Sequence, residues 1–368
     1  MPKIRNFNVY YGLLHAHSNI SDGKGSPDKA YCFAKEEAGL DFFALADHNN
    51  GYHGMWGAGW PEYALNDIVQ AAHKYYAPGW FVTLAGFEMT TRQTGHIAVV
   101  YNPDMCLNMD ENYFFNPIDA GVETLDEFYR WLDTQPAVGF FNHPGESFEH
   151  EWDAWHPAAG WGPEFKFFEP TVYTDRMVGI ELFNGNSGFS TYYYECCWKN
   201  VLDKLAGSEY TLKADTFYDE ALQKGWRVGA AGSDDNHSMT WGKMNDYRLA
   251  VLAKELTRDE IFRALEARRF YSTMDKNLVL SFTVAGQEMG STVQAGVHDL
   301  VVEAFNTAGE RIKSVALVKN GKQAAVWDLG EKYAKTSQLT AAAAGDYFYV
   351  IVAQMNGLEA ISSPIWVE

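Results

Sequence analysis

The sequence predicts a parallel α/β barrel followed by a small all-β domain. Three observations carry that reading. Short apolar runs alternate with helix-like segments up to about residue 275, polar residues recur at the ends of those runs, and beyond residue 277 the pattern changes to short alternating segments. Alternation of strand and helix marks a parallel sheet with crossover helices, and about seven or eight repeats close or nearly close such a sheet. A chain of 368 residues, 47% of them hydrophobic, is long enough for about two domains with sizeable cores.

In chain order, strands are expected at residues 10–14, 42–46, 81–85, 96–101, 138–141, 178–183, 227–231 and 249–253. Several of the helices between them carry start signals. Ser26 followed by Pro27 is an N-cap with proline at the first helical position, where a backbone N–H is not needed. Thr124 with Glu127, and Thr257 with Glu260, have the spacing of capping boxes, and the first opens a helix over 125–132. The stretch 102–176 is otherwise mixed. Its segment 152–168 holds Trp152, Trp155, His156, Trp161, Phe165 and Phe167 in a Gly- and Pro-rich loop, which either folds on its own aromatics or walls a binding site. From 278 to 368, short alternating segments (278–284, 300–305, 315–318 and 347–353 among them) are separated by turn residues such as Asn320-Gly321 and Asn356-Gly357, the pattern of a β-sandwich. That region holds His298 and no cluster of ligand types, so packing or surface recognition is its expected role.

A formal charge of −19 excludes a nucleic-acid backbone as partner, because that interaction needs concentrated lysine and arginine. It does not exclude a small anion, since bound divalent cations reverse the field of an acidic pocket. No apolar run reaches the length of a membrane helix and no leader pattern opens the chain, so a soluble protein without a membrane partner is expected. A cytoplasmic location is favoured, and export after trimming of a signal peptide stays open. Cys32, Cys106, Cys196 and Cys197 show no CxxC spacing and read as reduced thiols, the vicinal pair as one buried and one exposed side chain.

The chemistry is concentrated at the ends of the apolar runs. His15-Ala16-His17 follows the first, and residues two apart in a strand share a face, so both imidazoles can grip one cation while Asp22 reaches it from the next turn. Asp47-His48, Glu88 with His96, Asn142-His143-Pro144, and Asp234-Asp235-Asn236-His237 are placed in the same way. In a parallel α/β barrel these ends share the face on which sites are built. Each member has a plainer reading: His96 a satisfied core histidine, Glu88 a surface carboxylate, Asp22-Gly23 a turn. Together, the plain readings require a run of independent coincidences. Imidazole with carboxylate suits Zn, Mn or Fe(II), and the absence of thiolate points to an open site rather than a closed structural one. His53, His73, His150, His156 and His298 lack this context and read as surface or loop residues.

These motifs make the chain resemble the PHP superfamily, the polymerase-and-histidinol-phosphatase metallohydrolases, over about the first 275 residues. The matching stretches are His15-Ala-His17 with Ser21-Asp22-Gly23, Asp47-His48, Gly86-Phe-Glu88 with His96, His143-Pro144, and Gly232-Ser-Asp-Asp235-Asn-His237. The resemblance implies a distorted (β/α)7 barrel over residues 1–275 that carries two or three divalent metal ions (Zn, Mn or Fe). The tail Ser362-Ser-Pro-Ile-Trp-Val367 is similar to a branch that includes carbamate hydrolases, which implies an Ig-like sandwich over residues 278–368. Carried over by position, the resemblance implies one metal on His15, His17, Glu88 and Asp235, a second on Glu88, His96 and His143, and a third on Asp22, His48 and His237. Asp22 departs from the histidine of some relatives, which bears on whether the third position is filled. The family's Asp-x-His spacing selects Asp235 over Asp234. Glu88, His48, Asp235 and His237 are the implied catalytic residues, and Asp47 is expected to orient His48 or a neighbouring imidazole.

The expected activity is hydrolysis of a small phosphomonoester by metal-activated hydroxide. An amide or carbamate hydrolase with the same centre is one alternative, and a non-catalytic metal-containing binding protein is another. Arg92, Lys243 and Arg248 are the candidate phosphate-binding cations. Glu181 and Asn184, at another strand end, are candidates to orient substrate or water, or simply to cap the strand.

Overall fold

The structure, a computed structural model, describes residues 1–49, 64–91, 95–106, 124–143, 169–184, 191–192 and 217–368. Among the described residues of its N-terminal part, nine strands of four residues or more build one curled sheet, β1 (Phe7–Leu13), β2 (Phe42–His48), β3 (Val82–Thr91), β4 (Gly95–Tyr101), β5 (Ala137–Phe141), β6 (Met177–Asn184), β7 (Gly229–Ser233), β8 (Arg248–Ala253) and β9 (Phe270–Thr273), with two-residue strands at Lys3–Ile4 and Thr191–Tyr192 paired to β1 and β6. The helices are α1 (Pro27–Glu36), α2 (Ala64–Tyr75), α3 (Leu125–Asp133), α4 (Phe217–Gln223) and α5 (Arg258–Glu266), with a short turn of helix at Pro103–Cys106. Across the sheet the strands run β9-β8-β1-β2-β3-β4-β5-β6-β7. All eight strands expected from the sequence are present, and β9 and the two-residue strands are additions.

The sheet is mixed rather than wholly parallel, which corrects the sequence reading. β1, β2 and β3 are parallel, as are β5, β6 and β7, but β4 is antiparallel to both its neighbours and β8 is antiparallel to β1 and β9. The reason for β4 is local. Only residues 92–94 separate it from β3, and parallel pairing needs a crossover of roughly a dozen residues or more. Because β4 runs back, its beginning lies beside the end of β3, with His96 paired to Thr90.

Helix starts follow the sequence with one exception. Ser26 caps α1, and the Thr124 box is complete. At α5, Thr257 accepts from Glu260 N, but the Glu260 carboxylate accepts from Lys254 N, so that box is half made. Strand β2 shows why the sheet holds its helices. Phe42, Ala44 and Ala46 point into the curl beside Leu84 and Val138, while Phe43 and Leu45 pack outward with Tyr31, Ile68 and Ala72 of α1 and α2. A parallel strand buried on both faces reads as a continuous apolar run, as this one does.

The curl brings the sheet's two ends together. A Cβ on Gly232 of β7 would sit 2.5 Å from the Arg248 carbonyl oxygen of β8, so only glycine permits that approach. No ladder joins β7 to β8 among the described residues. Beyond the strand ends, however, Ala16 bridges Asn236 in parallel, and His17 N donates to Asn236 O at 2.9 Å. The loops after β1 and β7 therefore close the mouth.

The C-terminal strands are β10 (Leu278–Val284), β11 (Gly296–Asn306), β12 (Ile312–Lys319), β13 (Lys322–Glu331), β14 (Tyr333–Ala342), β15 (Tyr347–Gln354), β16 (Glu359–Ser362) and β17 (Ile365–Val367). One antiparallel sheet holds β10, β11 and β14, and a second holds β12, β13, β15, β16 and β17. Leu280, Phe282, Leu300, Leu317, Val350 and Ile365 are buried together between them. The second sheet also continues into the curled one, because β16 pairs with β9, with Tyr271 opposite Ser362. The change of sequence pattern near residue 277 is thus no break in hydrogen bonding. Among the described residues, no helix is long and apolar enough to cross a membrane.

Candidate metal centre

Six imidazoles and three carboxylates named in the sequence meet at the mouth of the curl. His15 and His17 come from the loop after β1, His48 from the end of β2, Glu88 from β3, His96 from the start of β4, His143 from just past β5, and Asp235 and His237 from the loop after β7. Asp22 joins from the turn after His17. His15, His17, His48, Glu88, His96, His143 and Asp235 are buried, whereas Asp22 and His237 form the partly exposed rim.

Glu88 is the hub. Its Oε1 lies 3.1 Å from His15 Nε2 and 3.2 Å from both His96 Nδ1 and His143 Nε2, and its Oε2 lies 2.7 Å from His48 Nδ1. Asn142 Nδ2 donates to Oε1 at 2.7 Å. On one side of this hub, His15 Nε2 and His17 Nε2 stand 3.2 Å apart, and Asp235 Oδ1 is 3.1 and 3.0 Å from them. On the other side, toward solvent, Asp22 Oδ1 is 3.2 Å from His237 Nε2 and 3.7 Å from His48 Nε2. Two donor residues hold left-handed backbone, His143 at φ 25° and Asp235 at φ 44°. Such strain in non-glycine residues persists only where the surroundings impose it.

The second nitrogen of four imidazoles is already engaged. His15 Nδ1 meets Glu181 Oε1 at 2.8 Å, His17 Nδ1 meets Ser21 Oγ at 3.2 Å, His237 Nδ1 donates to the Asp235 carbonyl at 2.9 Å, and His48 Nδ1 meets Glu88. A proton held on that nitrogen leaves the other as a lone pair, the form a metal ligand needs. Donor separations of 3.0–3.2 Å are also close to those around an ion with bonds of about 2.0–2.2 Å. The residues therefore fit divalent cations. Four overlapping groups of donors lie close enough to share an ion: His15 with His17 and Asp235; His15 with Glu88 and His143; His48 with Glu88 and His96; and Asp22 with His17, His48 and His237. His96 and His143 both meet Glu88 Oε1 but fall in different groups, unlike the set implied by the resemblance.

Charge in the cluster is strongly coupled. Burial opposes ionisation of Glu88 and Asp235, yet the imidazoles around them hold both carboxyls well below the usual range. Burial, with repulsion from His237 and His48, pushes His17 down to about 4. Against the cost of burial, Asp235 and Asp22 raise His237 to about 9. These shifts set opposite slopes in the metal-free protein. His17 takes up a proton on unfolding as pH falls from about 6.5 toward its folded value, so stability drops on the acid side. His237 releases one on unfolding as pH rises toward about 9, so stability drops on the alkaline side. Chelator-treated protein is expected to melt highest near about pH 6.5. Zinc should remove the alkaline loss, because bound imidazoles are held neutral. A melting profile that rises steadily from pH 5 to 9 without metal would contradict this.

Other residues singled out in the sequence fall differently. Lys243 does not join the cluster; it is exposed, 3.6 Å from Glu37 beyond α1. Arg248 is buried at the mouth, but its guanidinium is spent on the carbonyls of Gly242, Asn245 and Tyr247. Asn184 reaches the mouth and donates to Glu181 Oε2 at 3.0 Å. Asp47 does not bond His48, because adjacent strand residues point to opposite faces. It accepts instead from Ser18 N, Ser18 Oγ, Ser21 N and Ser21 Oγ, and so shapes the turn whose Ser21 meets His17. Asp234 accepts from Gly242 N, and burial raises its carboxyl to about 6. His73 and His298 lie elsewhere, against Arg258 and the Gln294 carbonyl. Arg92, Pro144, His53, His150, Cys196, Cys197 and the aromatic segment 152–168, His156 included, lie outside the described residues. Glu181 is the contributor whose part the sequence left open. Its position at the end of an apolar run was the available signal.

No family model matches the chain. Over 98% of its length it is similar to uncharacterized proteins of Chlamydia pneumoniae (27% identical over 414 residues) and Chlamydia muridarum (23% over 394), and it spans 57% of the length of each. Among solved structures it is similar to a two-domain protein of Bacteroides vulgatus containing a predicted PHP-like metal-dependent phosphoesterase. The TM-score is 0.51 at 18% identity, covering 98% of this chain and 97% of that one. The likeness extends over both the curled sheet and the C-terminal strands, so the chain has the fold of that two-domain protein.

Proposed function

We propose that the chain is a metal-dependent hydrolase whose main reaction is cleavage of a small phosphomonoester. Its catalytic unit is a distorted (β/α)7 PHP-type barrel over residues 1–275, with residues 278–368 packed on it as an Ig-like sandwich. The observation that carries the reading is the set of imidazoles with one nitrogen tied and the other turned toward a carboxylate of the cluster, Glu88 or Asp235 for His15 and His17, and Asp22 for His48 and His237. His15, His17, Glu88 and Asp235 would hold one divalent ion, Glu88, His96 and His143 a second, and Asp22, His48 and His237 a third. Two or three ions of Zn, Mn or Fe supply Lewis acidity toward the substrate oxygen and lower the pKa of water.

The chain's own residues set the geometry. Glu88 reaches toward two positions with one carboxylate, and His48 spans from Glu88 to Asp22 through its two nitrogens. The half-exposed rim of Asp22 and His237 is where a substrate meets the cluster. An anionic phosphoryl group suits the positive charge that several ions bring to a chain of formal charge −19. One observation favours a second reading, an amide or carbamate hydrolase: Lys243 and Arg248 are both committed elsewhere, and a neutral carbonyl needs no such cation.

The test is a panel of phosphomonoesters and aryl carbamates, run with protein loaded in turn with Mn, Zn and Fe(II). Phosphate release that stops on chelation is the expected result. Phenol release without phosphate would move the assignment to the second reading. Metal bound with neither substrate cleaved would leave a non-catalytic binding protein.

A further inference from the structure

Glu181 touches two of the proposed metal positions without being a ligand of either. It lies in β6, 2% exposed. Its Oε1 is 2.8 Å from His15 Nδ1, and its Oε2 accepts from His143 N at 2.8 Å and from Asn184 Nδ2 at 3.0 Å. His15 belongs to the position shared with His17 and Asp235, and His143 to the position shared with His96. The His143 backbone is left-handed, a strained conformation outside glycine, so it needs a restraint such as this one.

We infer that Glu181 is a positioning residue that sets two metal positions at once. It keeps the His15 proton on Nδ1, so that Nε2 faces the ion, and it pins the His143 backbone, so that Nε2 faces Glu88. A carboxylate behind a ligand imidazole commonly raises metal affinity about 10–100-fold. Here the same group also reaches a second ligand through its main chain. The inference rests on the ligand assignment proposed above and adds the residue that couples its parts.

Glu181→Gln separates this role from simple filling of space. A glutamine has one acceptor and one donor end. With its oxygen on His15, its amino group faces His143 N–H; turned over, it mends His143 and loses His15. Manganese titration of chelator-stripped protein, followed by the electron paramagnetic resonance of free Mn²⁺, should show two equivalents weakened together by about 10–100-fold. Ser21→Ala, which disturbs His17, Asp22 and Asp47 but leaves His15 and His143 untouched, should spare the equivalent held by Glu88, His96 and His143. Wild-type affinity in E181Q, or loss confined to one equivalent, would overturn the inference.

If E181Q does not fold, the zinc-loaded wild type still decides. Long-range ¹H–¹⁵N spectra should show His15 protonated on Nδ1 and protected from exchange, and a proton on Nε2 would refute the proposal. A wild type that binds manganese but hydrolyses nothing would remove the proposed activity and leave this inference standing. A wild type that binds no manganese would remove both.

Discussion

Glu88→Gln is expected to abolish metal-dependent hydrolysis, lowering kcat/KM by at least about 1,000-fold, equivalent to about 4 kcal/mol of transition-state stabilisation. It should also remove at least one bound metal equivalent by elemental analysis. The substitution keeps side-chain volume and changes only charge and donor pattern. Both Glu88 oxygens are used, Oε1 toward His15, His96 and His143 and Oε2 toward His48. An amide supplies one oxygen and puts an N–H₂ donor where a cation or an imidazole N–H should be met. The carboxyl sits well below its ordinary range because of these same imidazoles, so the negative charge is built into the site. Full metal content with wild-type turnover in the variant would show that Glu88 is not the shared ligand.

Arg258→Ala is expected to cost about 2–4 kcal/mol of stability, mostly through the neutral acceptors it strands, while leaving the metal content of the folded protein unchanged. Arg258 opens α5 and is 1% exposed. Its Nε donates to Thr83 O at 2.8 Å, its Nη2 to Ala72 O at 2.9 Å and Thr83 Oγ1 at 2.8 Å, and its Nη1 to Asp104. The guanidinium also lies 4.0 Å from the Tyr76 ring centre. It thereby joins α2, the start of β3, the helical turn at Pro103–Cys106 and α5, at the end of the sheet away from the candidate metal donors. Alanine strands these acceptors in a site with little access to water, so the penalty includes their lost partners. Denaturant unfolding of chelator-treated protein measures it, and a midpoint within error of wild type would refute the account.

The two variants should thus separate along the strands of the curled sheet, function from the mouth and stability from the foot. That separation follows from strand polarity. The donors cluster where β1, β2, β3, β5 and β7 end, and Thr83 lies where β3 begins.

Much of this was legible in the sequence because it is local. The apolar runs of β1 to β8, the caps at Ser26 and Thr124, and the kinds of donor at the strand ends depend on neighbours a few residues away. Residue type and spacing alone placed His15, His17, His48, Glu88, His143, Asp235 and His237 on one face. His96 is a different case. It begins its strand, and it joins residues that end theirs only because β4 runs antiparallel, a consequence of the short link from β3. The link length is legible in the chain, whereas the reversal it imposes shows only in the pairing of β3 with β4.

What the tertiary structure alone decided are the targets of polar side chains. Lys243 and Arg248 follow the last metal motif closely in sequence, yet one turns to Glu37 and the other to backbone carbonyls. Asp47 serves the serines of a preceding turn, and Glu181 serves a histidine 166 positions away. The joining of the C-terminal strands to the curled sheet through β9 and β16 was equally hidden. Periodicity reports which face of an element is apolar, whereas a hydrogen bond is directional, and its partner depends on which distant segments the fold brings within about 3 Å.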